Sequence, residues 1–211
     1  MKELDLLKKD WQNQNSDSDK FSFNDIYQMI LKKSSSIIKW IFIISVIEFA
    51  FWHLLYLLPN NNTEVYSELE MMWFIYTTSI IHYIITISFI YYFYKNFKSI
   101  SNSDTTKTLM EKILKTRKTV YNYVIYNLAA FGITYYSTVF MMYQKKEQLF
   151  EIDLIKEQLE TLPQLKEIFF LTQSILGIVV IFIFGAIYFL LYGLMLRKLN
   201  KNYKELKELE G

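Results

Sequence analysis

Long uncharged runs alternate with short charged ones along most of this chain. Four runs, roughly 37–58, 71–94, 120–143 and 168–196, are nearly free of charged residues. At about 1.5 Å rise per residue, each is long enough as a helix to cross a hydrocarbon core of about 30 Å. The pattern predicts an all-α polytopic membrane protein with four transmembrane helices and short cytoplasmic amphipathic helices. Residues 1–36 read as a cytoplasmic N-terminal extension with two short helices, 37–196 as the transmembrane domain and 197–211 as a cytoplasmic helical tail.

The segments between the spans carry their own periodicities. In "LDLLKKDW" the residues Leu4, Leu7 and Trp11 form a short stripe, which gives way to the solvated linker "QNQNSDSD". Ser22 and Asp25 have the spacing of a capping box, and Phe23, Ile26, Tyr27 and Ile30 line one face of the helix that would follow. The stretch "SISNSDTT" breaks the second inner segment, and a helix is expected to restart near Asp104. In the first outer loop, Pro59 suits a tight turn. In the second, Leu149, Ile152, Ile155, Leu159 and Leu162 recur at three and four residues until Pro163, the mark of an amphipathic helix. The tail repeats Leu196, Leu199, Tyr203 and Leu206 at heptad-like steps.

Composition alone, at 52% hydrophobic residues, would also suit a soluble helical domain. The clustering of the charges decides for the membrane. Counting Lys and Arg between spans puts nineteen on the side of the two termini and four on the other, which predicts both termini inside. The polar start lacks a cleavable signal pattern, so the first span is expected to serve as an uncleaved anchor. An excess of Lys over Arg, with abundant Ile, Asn and Tyr, points to an AT-rich bacterial genome and hence to a bacterial inner membrane. A net charge of +2 argues against direct nucleic-acid binding. With no Cys, the chain has neither disulfides nor thiolate metal sites. Gly-rich phosphate loops, H-E-x-x-H and G-x-S-x-G are all missing, so no catalytic residue is assigned and no metal or cofactor is expected.

The chemistry within the spans centres on "ISVIEFAFWH", which puts Glu48 near the middle of the first span. His82 lies at a similar depth in the second. A charge at mid-bilayer costs roughly 2.5 to 3.5 kcal/mol on insertion scales, so Glu48 must face the bundle and find a partner or stay protonated. Ser45 and Glu48 share a face with Trp52, and Thr78, Ser79, His82 and Thr86 form a polar stripe on the second span. The expected site is an intramembrane polar clasp of Glu48 and His82 with Ser45, Ser79 and Thr86. His53, five residues beyond Glu48, points elsewhere around the helix. Asn127, Ala130, Thr134 and Thr138 form a small and polar stripe on the third span. On the fourth, Gly177, Gly185 and Gly193 are expected to allow close helix packing.

At Leu6 to Gln12 and again at Ile26 to Phe42, in "IYQMILKKSSSIIKWIF", the chain resembles a group of bacterial four-span inner-membrane proteins with an N-terminal LKKDWQ-type helix. Members are often labelled beta-carotene monooxygenases. Such oxygenases are iron enzymes on a β-propeller with four histidine ligands, and a chain with only His53 and His82 and no strand pattern does not fit that label. The resemblance also implies an association with regulators such as sigma factors, held by the cytoplasmic N-terminus.

These observations lead to an expectation of a non-enzymatic scaffold or regulatory subunit of the inner membrane. Its partners would be the lipid bilayer and a cytoplasmic protein, with a homo-oligomer also open. The protein would dock on Leu4, Leu7, Trp11, Phe23, Ile26, Tyr27 and Ile30. Two alternatives stand beside it: a small transporter or proton-coupled channel using Glu48 and His82, and a membrane enzyme or metal- or haem-binding protein using the two histidines.

Overall fold

The structure, a computed structural model, describes residues 22–56, 62–101, 104–153, 155–156 and 164–210. Among them there is no strand. The elements are α1 (Phe23–Tyr56), α2 (Asn62–Glu68), α3 (Met72–Ser99), α4 (Thr106–Gln144), α5 (Lys146–Glu151) and α6 (Leu165–Tyr188). A π-helical turn (Phe189–Gly193) then leads without a break into α7 (Leu194–Glu210). Four helices are long and apolar enough to cross a membrane. Leu4, Leu7 and Trp11, together with Leu159 and Leu162, lie outside the described residues.

Helix α1 starts where the capping box places it. The Ser22 amide donates to Asp25 Oδ2 at 3.1 Å, and the Asn24 amide donates to Ser22 Oγ at 3.3 Å. It then continues unbroken into the membrane, so the change of composition at residues 36–37 does not separate a second short helix from the first span. "KKSSS" contains neither Pro nor Gly, and Ser34 is itself buried in the helix packing. Thr105 caps α4 by accepting from the Thr108 amide at 3.2 Å, one residue after the expected restart.

Pro59, where the tight turn is expected, lies outside the described residues, and the rest of the loop between the first two spans is structured. It contains α2, which ends in a Schellman motif: the Met71 amide donates to the Tyr66 carbonyl at 2.8 Å and the Glu70 amide to Ser67 at 2.9 Å. Glu70 takes the left-handed conformation there, with φ of 54°. Val65, Leu69 and Met71 then pack with Leu149 and Ile152, so the apolar stripe of the second outer loop covers the first loop.

Helix α3 packs on α1 and α4, and α4 also packs on α6. Beyond the π turn, α7 packs on both α1 and α4. Four seams meet inside this bundle, each stepping by three, four or seven residues. On α1 the seam is Tyr27, Leu31, Ser34, Ile38, Ile41 and Ser45; on α4 it is Leu109, Ile113, Thr116, Val120 and Tyr123. On the last helix it is Tyr192, Leu199, Asn202 and Leu206, and on α3 Thr86, Phe93 and Asn96. A 3.5-residue period is the seam of a left-handed helical bundle.

The outer surface of the spans is the reverse of a soluble protein's. Ile80, Ile84, Ile133, Phe140, Leu171 and Phe182 all point outward, the last 74% exposed. Such a belt of large apolar side chains is stable only against lipid. The molecule is therefore an all-α polytopic membrane protein. Its apolar core lies at the end of the bundle where α1 begins and α7 ends, around Ile30, Leu109, Ile113, Leu199 and Leu206. Burial of each such side chain contributes about 1.5–3 kcal/mol.

Candidate functional site

Further along the same seams the apolar filling stops and a cavity of about 390 Å³ opens. Glu48, Trp52 and His53 reach it from α1, Thr78, Ser79, His82 and Thr86 from α3, Asn127 and Thr134 from α4, and Phe184 and Tyr188 from α6. The seam positions explain this set. Glu48 and Trp52 continue the α1 steps beyond Ser45, Asn127, Ala130 and Thr134 continue those of α4, and Ser79 and His82 lie on the α3 seam.

Glu48 is held by two phenols. Tyr188 donates to one carboxylate oxygen, and Tyr192 donates to the other at 2.8 Å. The two rings stack at 5.9 Å, and both stand edge-on to Tyr123 of α4. Both carboxyl oxygens therefore have a phenol partner, which fixes the side chain between α1 and the last helix. The π turn occupies the residues between Tyr188 and Leu194, and single π turns inside α-helices are frequent at functional sites.

The expected Glu48–His82 clasp is corrected by this geometry. Both residues border the one cavity, but His82 bonds elsewhere: its Nε2 lies 3.4 Å from Thr86 Oγ1, and its ring stacks on Tyr126. Phenols on α6 and the π turn reach the carboxylate first because the last helix presents them at seam positions. Of the other expected clasp residues, Ser79 lines the cavity and Thr86 serves His82. Ser45 instead donates to the Phe42 carbonyl at 2.7 Å and is fully buried in the packing.

His53 does reach the cavity, and its ring lies against Phe49 and Tyr83. Its Nδ1 donates to the Phe49 carbonyl at 2.9 Å, which leaves Nε2 as an acceptor in the neutral ring. Among the described residues, no three His, Cys, Asp or Glu side chains gather as a metal site.

Two further expectations are corrected. Tyr27 and Ile30 are buried in the bundle core and Ile26 packs against it, so among the described residues of the expected docking set only Phe23 stays exposed. The end of α7 covers this face, because α1 extends past the membrane as part of the bundle. Of the three glycines, Gly177 alone makes a close interhelical approach, receiving the Tyr135 ring of α4. Tyr135 and Tyr136 fasten that contact by donating to the Gln173 and Ser174 carbonyls, each at 2.9 Å. Gly185 has open space beside it, and the neighbour of Gly193 is Phe189 of its own helix.

Tyr123, Tyr188 and Tyr192 were missed in the sequence because tyrosine near a span end reads first as an interfacial anchor. A signal was present: Tyr188, Tyr192, Met195, Leu199, Asn202 and Leu206 step by four and three throughout. No curated protein and no solved structure matches the chain. Residues 24–211, from the start of α1 to the last residue, match the family described as Domain of unknown function (DUF8845), and the chain belongs to that family.

Proposed function

We propose that this protein is a small membrane transporter that binds an organic cation in the cavity at Glu48. The observation that supports it is an acidic side chain, fixed by Tyr188 and Tyr192, in a cavity that among the described residues is lined by no Lys or Arg. A charge within a membrane needs a counter-charge, and here the ligand would supply it. Phe49, Trp52, Tyr83, Phe131 and Phe184 surround the same space with aromatic faces, which attract cations. Its volume falls within the usual range for small-molecule sites, about 300–1,000 Å³. Trp52 and Phe184 meet edge to face at 5.4 Å between α1 and α6, and their parting would open a path from the bilayer.

The orientation that accords with the charge count has α1 beginning and α7 ending in the cytoplasm of a bacterial cell. The scaffold reading has lost Tyr27 and Ile30 to the core, and what remains of it rests on residues before α1 and on Phe23.

The test is tetraphenylphosphonium binding to the purified chain, followed by uptake into proteoliposomes. Wild type should bind the cation, and Glu48→Gln should weaken binding at least about tenfold, the loss of roughly 1.4 kcal/mol. Equal binding by Glu48→Gln would overturn the reading. Binding without uptake would make the protein a receptor for the cation rather than a carrier.

A further inference from the structure

A second cleft, of about 510 Å³, lies between α1 and α7. Lys32, Lys33, Ser36 and Ile37 line it from α1, and Lys198, Lys201, Asn202 and Glu205 from α7. Four ammonium groups thus gather around one space, where mutual repulsion would ordinarily spread them. Among the described residues Lys32, Lys33 and Lys198 form no salt bridge, and the one carboxylate in the cleft, Glu205, approaches only Lys201, at 3.7 Å. The cleft keeps a net positive charge.

Its depth is specific. Lys32 and Lys33 precede the apolar run that starts at Ile37, and Lys198 and Lys201 follow the run that ends at Leu196. At about 1.5 Å per residue, all four lie within roughly 8 Å of the edge of the hydrocarbon, the level of lipid phosphates. Both walls then continue into the membrane as exposed apolar stripes at helical spacing. Beyond Lys33 on α1 come Trp40 and Ile47; beyond Lys201 and Lys198 on the last helix come Leu194, Leu191 and Ile187. A free phosphate would use only the charged end. A phospholipid would use both parts.

We infer that this cleft is a binding site for an anionic phospholipid, with the phosphodiester held by Lys32, Lys33, Lys198 and Lys201 and an acyl chain lying along the stripes below. The Ser36 hydroxyl is available as a further donor. The site is independent of Glu48 and of whatever the cavity holds.

The full-length protein in mild detergent is mixed with phosphatidylglycerol, phosphatidylcholine or inorganic phosphate, and retained lipid is counted by native mass spectrometry. Phosphatidylglycerol should be retained at least about tenfold over phosphatidylcholine, since each basic residue at a membrane surface adds to the attraction for an anionic headgroup. The preference should vanish when all four lysines become Ala and persist when all four become Arg. It should also persist in Lys115→Ala/Lys118→Ala, whose lysines lie on α4 outside the cleft. If the four-Ala variant does not fold, Lys32→Gln/Lys198→Gln serves, with a reduced preference expected. Equal retention of the two lipids, a preference that survives the substitutions, or displacement of the lipid by inorganic phosphate would each overturn the assignment.

Discussion

Glu48 shows how one side chain organises the middle of the bundle. Hydrogen bonds to a charged group contribute about 1.5–3 kcal/mol each. Tyr192→Phe should therefore lower the melting temperature of the detergent-solubilised protein, by a free energy of about 2 kcal/mol. In a Glu48→Gln background the same change should cost less, since the charge is gone, and a double-mutant cycle measures the difference. Asp104 is the corresponding anchor outside the spans. Burial works against its charge, but hydrogen bonds from Lys112, at 2.6 Å, and from the Ser101 amide, together with the Lys112 charge, outweigh it. Its carboxyl is held below its ordinary value. The stabilisation is thus complete above the ordinary carboxylate range and is lost as pH falls through the lowered value. Asp104→Asn should be less stable at neutral pH, by about 2 kcal/mol, and the deficit should shrink on acidification, as melting curves from pH 7 to pH 3 would show. Because the Asp104 carbonyl also accepts from Tyr27, the loop before α4 is tied to α1.

Between elements, close approach and cap geometry make opposite predictions for similar substitutions. Gly177→Ala would drive a methyl into the Tyr135 ring, which the bond to Gln173 prevents from yielding freely. Overpacking of this kind costs about 1–3 kcal/mol. Gly185→Ala meets nothing within 4 Å and should leave the melting temperature unchanged or slightly raised. Glu70 sits at a left-handed position that a side chain disfavours by about 1 kcal/mol, so Glu70→Gly should stabilise the end of α2 despite losing the exposed pair with Lys145. Thermal melts of the three variants, each compared with wild type, check all of these. Of the heptad-like steps in the tail, Leu199 and Leu206 are buried, and Leu196 and Tyr203 are partly buried against the same core.

For the whole molecule, the distribution of charge and the exposed apolar belt are the features any topology must satisfy. The absence of cysteine makes this directly measurable. If the orientation proposed holds, a single cysteine at Ser67, at the end of the bundle opposite the start of α1, should react with a membrane-impermeant maleimide in intact cells, whereas one at Lys204 should react only after lysis. Reaction of both in intact cells would contradict the orientation proposed. The apolar end around Leu109 and Ile113 and the open cavity around Glu48 divide the bundle into a packed half and a binding half.

The four spans, the helical break at "SISNSDTT" and the identity of the costly groups in the membrane were legible in the chain alone. Length, charge clustering and cap chemistry are local properties, written residue by residue. The partner of Glu48 was decided only by the tertiary structure. Two candidates, a histidine on α3 and tyrosines on the last helix, were chemically able to meet a carboxylate, and nothing in their spacing along the chain says which helix stands nearer. Packing settles it: α7 packs on α1, and Tyr188 at the end of α6 and Tyr192 in the π turn bond the carboxylate. His82 remains on the cavity wall with a different bond. Pairing across a bundle depends on the relative rotation and neighbourhood of helices, and those exist only once all the seams have closed together.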